Sequence, residues 1–112
     1  MNEAEIQRKR RDNEEEATRR RAGILGLPYL DTRTFEETVP LVPDVLSIED
    51  MRKDYIVPLQ VNAEEMSYRF MVTSQTPNSL IPKLRQEYTD RGAHVAFSLI
   101  SKAAYQVFML RY

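Results

Sequence analysis

The sequence predicts an α+β domain: a small three-stranded antiparallel sheet, a hairpin plus one further strand, packed by helices and led by a charged helix. Three observations carry this reading. Residues 1–21 are rich in charge and carry no apolar stripe. Two alternating apolar runs, around 57–61 and 66–72, are separated by the polar turn Asn62-Ala63-Glu64-Glu65. Beyond them, segments of helical period flank one more alternating run.

The lead segment comes first. Residues 1–21 hold seven basic residues (Arg8–Arg11 and Arg19–Arg21) and six acids (Glu3, Glu5, Asp12, Glu14–Glu16). Helical spacing places Arg8 by Asp12, Arg10 by Glu14, Arg11 by Glu15, Glu15 by Arg19 and Glu16 by Arg20. Each such pair stabilises a helix by roughly 0.2–0.5 kcal/mol. Apart from the alanines, only Met1 and Ile6 are apolar, so this reads as a solvated lead helix, separate from a compact domain over 22–112. Its last turn, with Ala17, Ala22, Ile24 and Leu25, is where it meets a core.

Gly26 and Pro28 stop that helix, because glycine accepts a left-handed cap and proline cannot continue the helix. Pro28-Tyr29-Leu30 reads as a short extended piece, followed by a loop over 31–43. Leu46, Ile48 and Met51 predict a short helix over roughly 43–53, capped at Pro43-Asp44 or at Ser47. The hairpin follows, with Pro58 suited to an edge or to a strand start. Leu80, Leu84 and Tyr88 predict the next helix. Asn78 or Ser79 starts it, Gly92 ends it, and Pro82 fits its first turn if Ser79 is the cap. Val95, Phe97 and Leu99 predict the third strand. Ser101 then caps a final helix through Ala104, Val107, Phe108 and Tyr112, inside which the sequence stops; a cut from a longer protein is one expectation this raises.

Composition excludes several classes. The 112 residues hold no cysteine, which removes disulfide scaffolds and thiolate metal sites and fits a reducing cytosol. A net charge of −1 gives no overall electrostatic case for nucleic acid or an anionic membrane. No apolar run approaches the roughly 20 residues that span a bilayer. The first sixteen residues lack the apolar centre of a signal peptide.

Little chemistry is on offer. The glycines of AGILGLPYLD (22–31) have no following lysine and lie between a helix and a strand, opposite to the order a dinucleotide fingerprint needs. His94 is the only histidine and has no carboxylate cluster beside it. Ser98 and Ser101 lie nearby in sequence without a carboxylate to complete a triad. The paired acids Glu36-Glu37, Glu49-Asp50 and Glu64-Glu65 fit loops and polar faces. Met66, Met71 and Met109 fit core or edge filling. The arginine runs raise a nucleic-acid contact, but Glu14–Glu16 divides them, residues 1–21 sum to only +1, and aromatics for base stacking are missing.

From Ala22 onward the sequence resembles the N-terminal domain of type II secretion and type IV pilus assembly ATPases. The junction ILGLPYLD (24–31) carries the likeness, supported by VPLVPDVL (39–46), IVPLQV (56–61) and RFMVTSQTPN (69–78) in the same order. The resemblance implies a non-catalytic docking domain without a cofactor. It would sit in the cytoplasm at the inner membrane, bind a platform or actin-like assembly protein, and couple it to a C-terminal ATPase domain of the same chain. Some members of that family bind cyclic di-GMP through a motif beginning Arg-Leu-Gly, with a leucine ladder and a closing glutamine. RDNEEEATRRRAGILG (11–26) has none of these, so the resemblance does not extend to cyclic di-GMP. A cyclic-dinucleotide sensor and a nucleic-acid contact are the alternative readings.

Overall fold

A computed structural model describes residues 2–62 and 64–112. Met1, and Ala63 of the expected hairpin turn, lie outside the described residues. The elements run α1 (Glu3–Leu25), α2 (Ile48–Asp54), β1 (Ile56–Asn62), β2 (Ser67–Val72), α3 (Leu80–Asp90), β3 (His94–Leu99) and α4 (Lys102–Arg111). The fold is α+β, as the sequence predicts.

The sheet order is β1-β2-β3. β1 and β2 form the expected antiparallel hairpin, with a register shift between Pro58 and Gln60. Pro58 lies on the edge strand, where its missing N–H costs least. The third strand corrects the expectation: β3 runs parallel to β2, from Ser67 opposite His94 to Val72 opposite Leu99. The sheet is therefore mixed. The reason is connectivity, since α3 carries the chain back along β2 before β3 begins. The extended piece at Tyr29 adds a short parallel bridge outside Leu99. There the Leu99 N–H donates to the Pro28 carbonyl at 2.8 Å, and the Leu30 N–H donates to the Leu99 carbonyl at 2.9 Å.

Strand alternation sends neighbouring side chains to opposite faces, and both faces are covered. On one face Ile56, Phe70, Val72, Phe97 and Leu99 pack with Leu84 and Tyr88 of α3 and with Ala22 of α1. Val57, Leu59 and Met71 form the other, packed with Ala104, Tyr105 and Phe108 of α4. Met51 anchors α2, and its carbonyl accepts from the Tyr105 hydroxyl at 3.0 Å.

The caps follow the residue chemistry. Ser47 and Ser101 accept from the N–H groups of Asp50 and Ala104, each at 3.0 Å. Ser79 precedes α3 without a side-chain cap bond, and Pro82 occupies the first turn of that helix. Gly26 ends α1 in the left-handed region at φ 71°, its N–H donating to the Ala22 carbonyl. A Cβ placed there meets no neighbour within 4 Å. Gly26→Ala therefore costs only backbone strain, about 1 kcal/mol, and thermal melting of that variant is expected to show a decrease of about 4 °C.

Candidate functional site

α1 poses the main physical question of the molecule. It has 23 residues and only two buried ones, Ala22 and Glu15. The expectation that its last turn meets the core holds for Ala22 alone. Ile24 is 86% exposed, and Ala17 and Leu25 also face solvent. At 100° per residue, Glu15 and Ala22 share one direction, while Ile24 points to the opposite side. A helix without an apolar stripe needs another fastening, and a polar cluster provides it.

Glu15 is the centre of that cluster, with 2% exposure. Its carboxylate accepts from Arg11 Nε at 2.7 Å, from the Tyr29 hydroxyl at 2.5 Å and from the Ser101 hydroxyl at 2.5 Å. Arg11 reaches on to Glu36, 4% exposed, with Nη2 2.9 Å from one carboxylate oxygen and 3.0 Å from the other. Thr32 donates to Glu36 at 3.3 Å. Glu14, one residue earlier, accepts from the Ala103 N–H at 3.0 Å in the first turn of α4. Glu14 and Glu15 thus bring two carboxylates to the start of α4, where unpaired N–H groups favour negative charge. Ser101 does two jobs there: its oxygen caps α4 and its proton goes to Glu15.

The loop between α1 and α2 closes the arrangement. The Arg111 guanidinium donates to the carbonyls of Glu36 at 2.9 Å and Val39 at 2.6 Å. On the solvent side Arg33 bridges Asp31 at 2.8 Å and Asp12 at 2.6 Å. Exposed pairs of that kind contribute about 0–1 kcal/mol. Among the described residues, every buried side-chain polar atom has a partner.

Protonation follows from this geometry. Burial opposes the charge on Glu15, but the hydroxyls of Ser101 and Tyr29 and the Arg11 guanidinium outweigh it and hold the carboxyl below its ordinary value. Burial and the Glu15 carboxylate push the Tyr29 phenol well above its ordinary value. The signs give a testable profile. The Glu15 contribution is complete above the ordinary carboxylate value of about 4.3 and is lost as pH falls through its lowered folded value. The Tyr29 contribution is complete below about pH 10 and is lost as pH rises through its raised folded value. Melting temperature measured against pH is expected to be flat between about pH 6 and 8 and to fall at both ends. Glu15→Gln should remove part of the acid limb.

The sequence places Arg11 beside Glu15 and Ser101 at a helix start, and only the fold joins them. Glu36, expected in a loop or on a polar face, is buried. The other paired acids, Glu37, Glu49, Asp50, Glu64 and Glu65, are exposed. His94 is the first residue of β3 and Ser101 lies two residues past its last, Leu99, so the two sit at opposite ends of the strand and form no constellation. Among the described residues, no group of three or more His, Cys, Asp or Glu side chains is placed to hold a metal ion. No helix among them is long and apolar enough to cross a membrane.

The fold and this junction define a class: a small α+β domain with a mixed sheet, whose charged lead helix is locked to the body by buried polar groups. Two solved structures similar to it in fold are of the N-terminal domain of XpsE, a type II secretion ATPase. One crystal form gives a TM-score of 0.61 at 16% identity, covering 100% of this chain and 86% of that one. A second gives 0.58 at 17% identity, covering 81% and 60%. No protein-family model and no curated protein matches the sequence. At such identities the likeness establishes the fold, and it is the fold that the ILGLPYLD junction implies.

Proposed function

We propose that this chain is the N-terminal domain of a type II secretion or type IV pilus assembly ATPase, and that it acts by docking rather than by catalysis. In this reading it binds an inner-membrane platform or actin-like assembly protein from the cytoplasmic side and couples it to a C-terminal motor. The observation that carries the proposal is the full-length likeness in fold to the XpsE N-terminal domain, joined to the ILGLPYLD junction at the end of α1. The locked helix gives the proposal a physical basis. A docking domain transmits force only if its elements move together, and the Glu15 cluster ties α1, the 31–39 loop and α4 into one body.

The test is calorimetry of this chain against the purified cytoplasmic domains of the platform and assembly proteins from the same organism. Saturable binding to one of them, with no ATP turnover by the chain alone, is the expected result. Failure to bind either domain, or ATP hydrolysis by the chain, would overturn the proposal.

A further inference from the structure

We infer that a basic groove beside the end of α1 docks an acidic segment of a partner protein; this rests on the docking reading above and assigns its surface. Two clefts, of about 400 and 220 Å³, meet at Ser74 in the β2–α3 loop. The first lies against the end of α1 and the start of α3, with Leu27, Ile81 and Pro82 in its walls. The second lies between α1 and the start of α4, over Leu99 and Ile100.

Charge is the distinguishing feature. Arg85 lines the first cleft, and Arg21 and Lys102 line the second. All three are exposed, and none has an ion-pair partner among the described residues. The acid in these walls is Glu14, whose carboxylate is engaged by the Ala103 N–H. The Arg85 guanidinium lies over the Phe97 ring at 5.2 Å, which holds the charge in place. The loop between the clefts is also fixed. Thr76 accepts from the Thr73 N–H at 3.0 Å and donates to the Tyr55 carbonyl at 2.8 Å.

Apolar surface lies beside the charge. Leu25 lines the first cleft and shares a helical stripe with Arg21 at i, i+4, and Ile24 is its neighbour on the solvent side of α1. They are 44% and 86% exposed. A small polyanion would satisfy the cations and leave these two side chains wet. A peptide segment with acids and an apolar side chain covers both. The cleft between α2 and α3 is a useful contrast. It carries Asp50, Asp54 and Glu87 against Lys53, Lys83 and Arg91, a balance that selects no sign of partner. Single-stranded nucleic acid would need free aromatic faces, and Phe97 is buried and covered by Arg85.

The test uses the partner cytoplasmic domain that the wild-type chain binds, with two variants. Arg21→Glu, Arg85→Glu and Lys102→Glu are combined in one, and Ile24→Ser is the other. All four positions are exposed, so Ile24→Ser should melt within about 2 °C of wild type, and the triple reversal, which gives up the Arg85–Phe97 contact, should stay folded with a melting temperature lower by no more than about 6 °C. The triple reversal is expected to raise Kd by about tenfold or more, most strongly at low salt. Ile24→Ser is expected to raise it severalfold. If wild type binds and the triple variant binds within about twofold of it, docking stands and this groove is not its surface. If wild type binds neither cytoplasmic domain, the docking reading fails and this inference with it. Tight binding of a single-stranded oligonucleotide that the triple reversal abolishes would make the groove a nucleic-acid surface and overturn the inference.

Discussion

Glu15→Ala is expected to lower the stability of the domain by about 3–5 kcal/mol, with a drop in melting temperature of about 10–20 °C. The carboxylate accepts three side-chain hydrogen bonds, and its removal strands all three donors. Arg11 keeps Glu36 as a partner and retains some contact with water, which places the cost at the lower end of that range. Ser101 loses its acceptor while still capping α4, and Tyr29 loses the partner of its hydroxyl. Glu15→Gln keeps the shape and an acceptor oxygen, so its cost should be smaller. Arg11→Met should be severe for the converse reason, because it leaves Glu15 and Glu36 buried without a cation. Replacing Arg11 and Glu15 together by apolar residues of similar size should recover much of the loss, since a buried pair stabilises little relative to well-packed apolar groups. Urea denaturation of the four variants measures these differences directly.

Phe70→Ala is expected to cost about 3–5 kcal/mol. Phe70 is fully buried at the centre of the sheet, with ring centroids 5.5 Å from Tyr88 and 5.9 Å from Phe97. Its loss opens a cavity among groups held by the sheet on one side and α3 on the other, which limits collapse. Phe108, equally buried, plays the same part on the opposite face with α4. The two residues belong to separate clusters, so their costs should add within about 0.5 kcal/mol. A domain of this size has about 5–15 kcal/mol in total, so the double variant should be largely unfolded at room temperature. Ile24→Ala, on the solvent side of α1, should change stability by no more than about 0.5 kcal/mol.

Local chemistry made most of the elements legible in the sequence. Ser47 and Ser101 announce helix starts, Gly26 and Gly92 announce helix ends, and the alternation at 57–61 and 66–72 announces the hairpin. Each is a signal a few residues long. Strand direction is not of that kind. Nothing within Val95-Ala96-Phe97 says that β3 is parallel to β2; that follows from how α3 returns the chain across the sheet. The polar cluster is harder still. Arg11 and Glu15 look like an ordinary surface pair, and Glu36 looks like one of a solvated couple. Only the fold brings Tyr29, Glu36 and Ser101, distant in sequence, onto one face of α1. The missing apolar stripe was itself the available clue, because a long helix with nothing to bury needs polar partners elsewhere in the chain. The groove had a fainter signal: Ile24 and Leu25 are apolar residues next to three arginines, and the α1 register leaves both facing solvent.

α1 belongs to the folded body through its polar cluster. Amide hydrogen exchange along α1 reads this attachment residue by residue. A helix of this composition held by nothing else would open readily, because helix formation alone is marginal in water. Amides around Glu15–Arg19 are expected to exchange only by global unfolding, with protection matching that of β2 and α4, and Glu15→Ala is expected to remove this protection selectively. Exchange at Glu15–Arg19 as fast as in the exposed first turns of α1, in the wild-type chain at neutral pH, would contradict it.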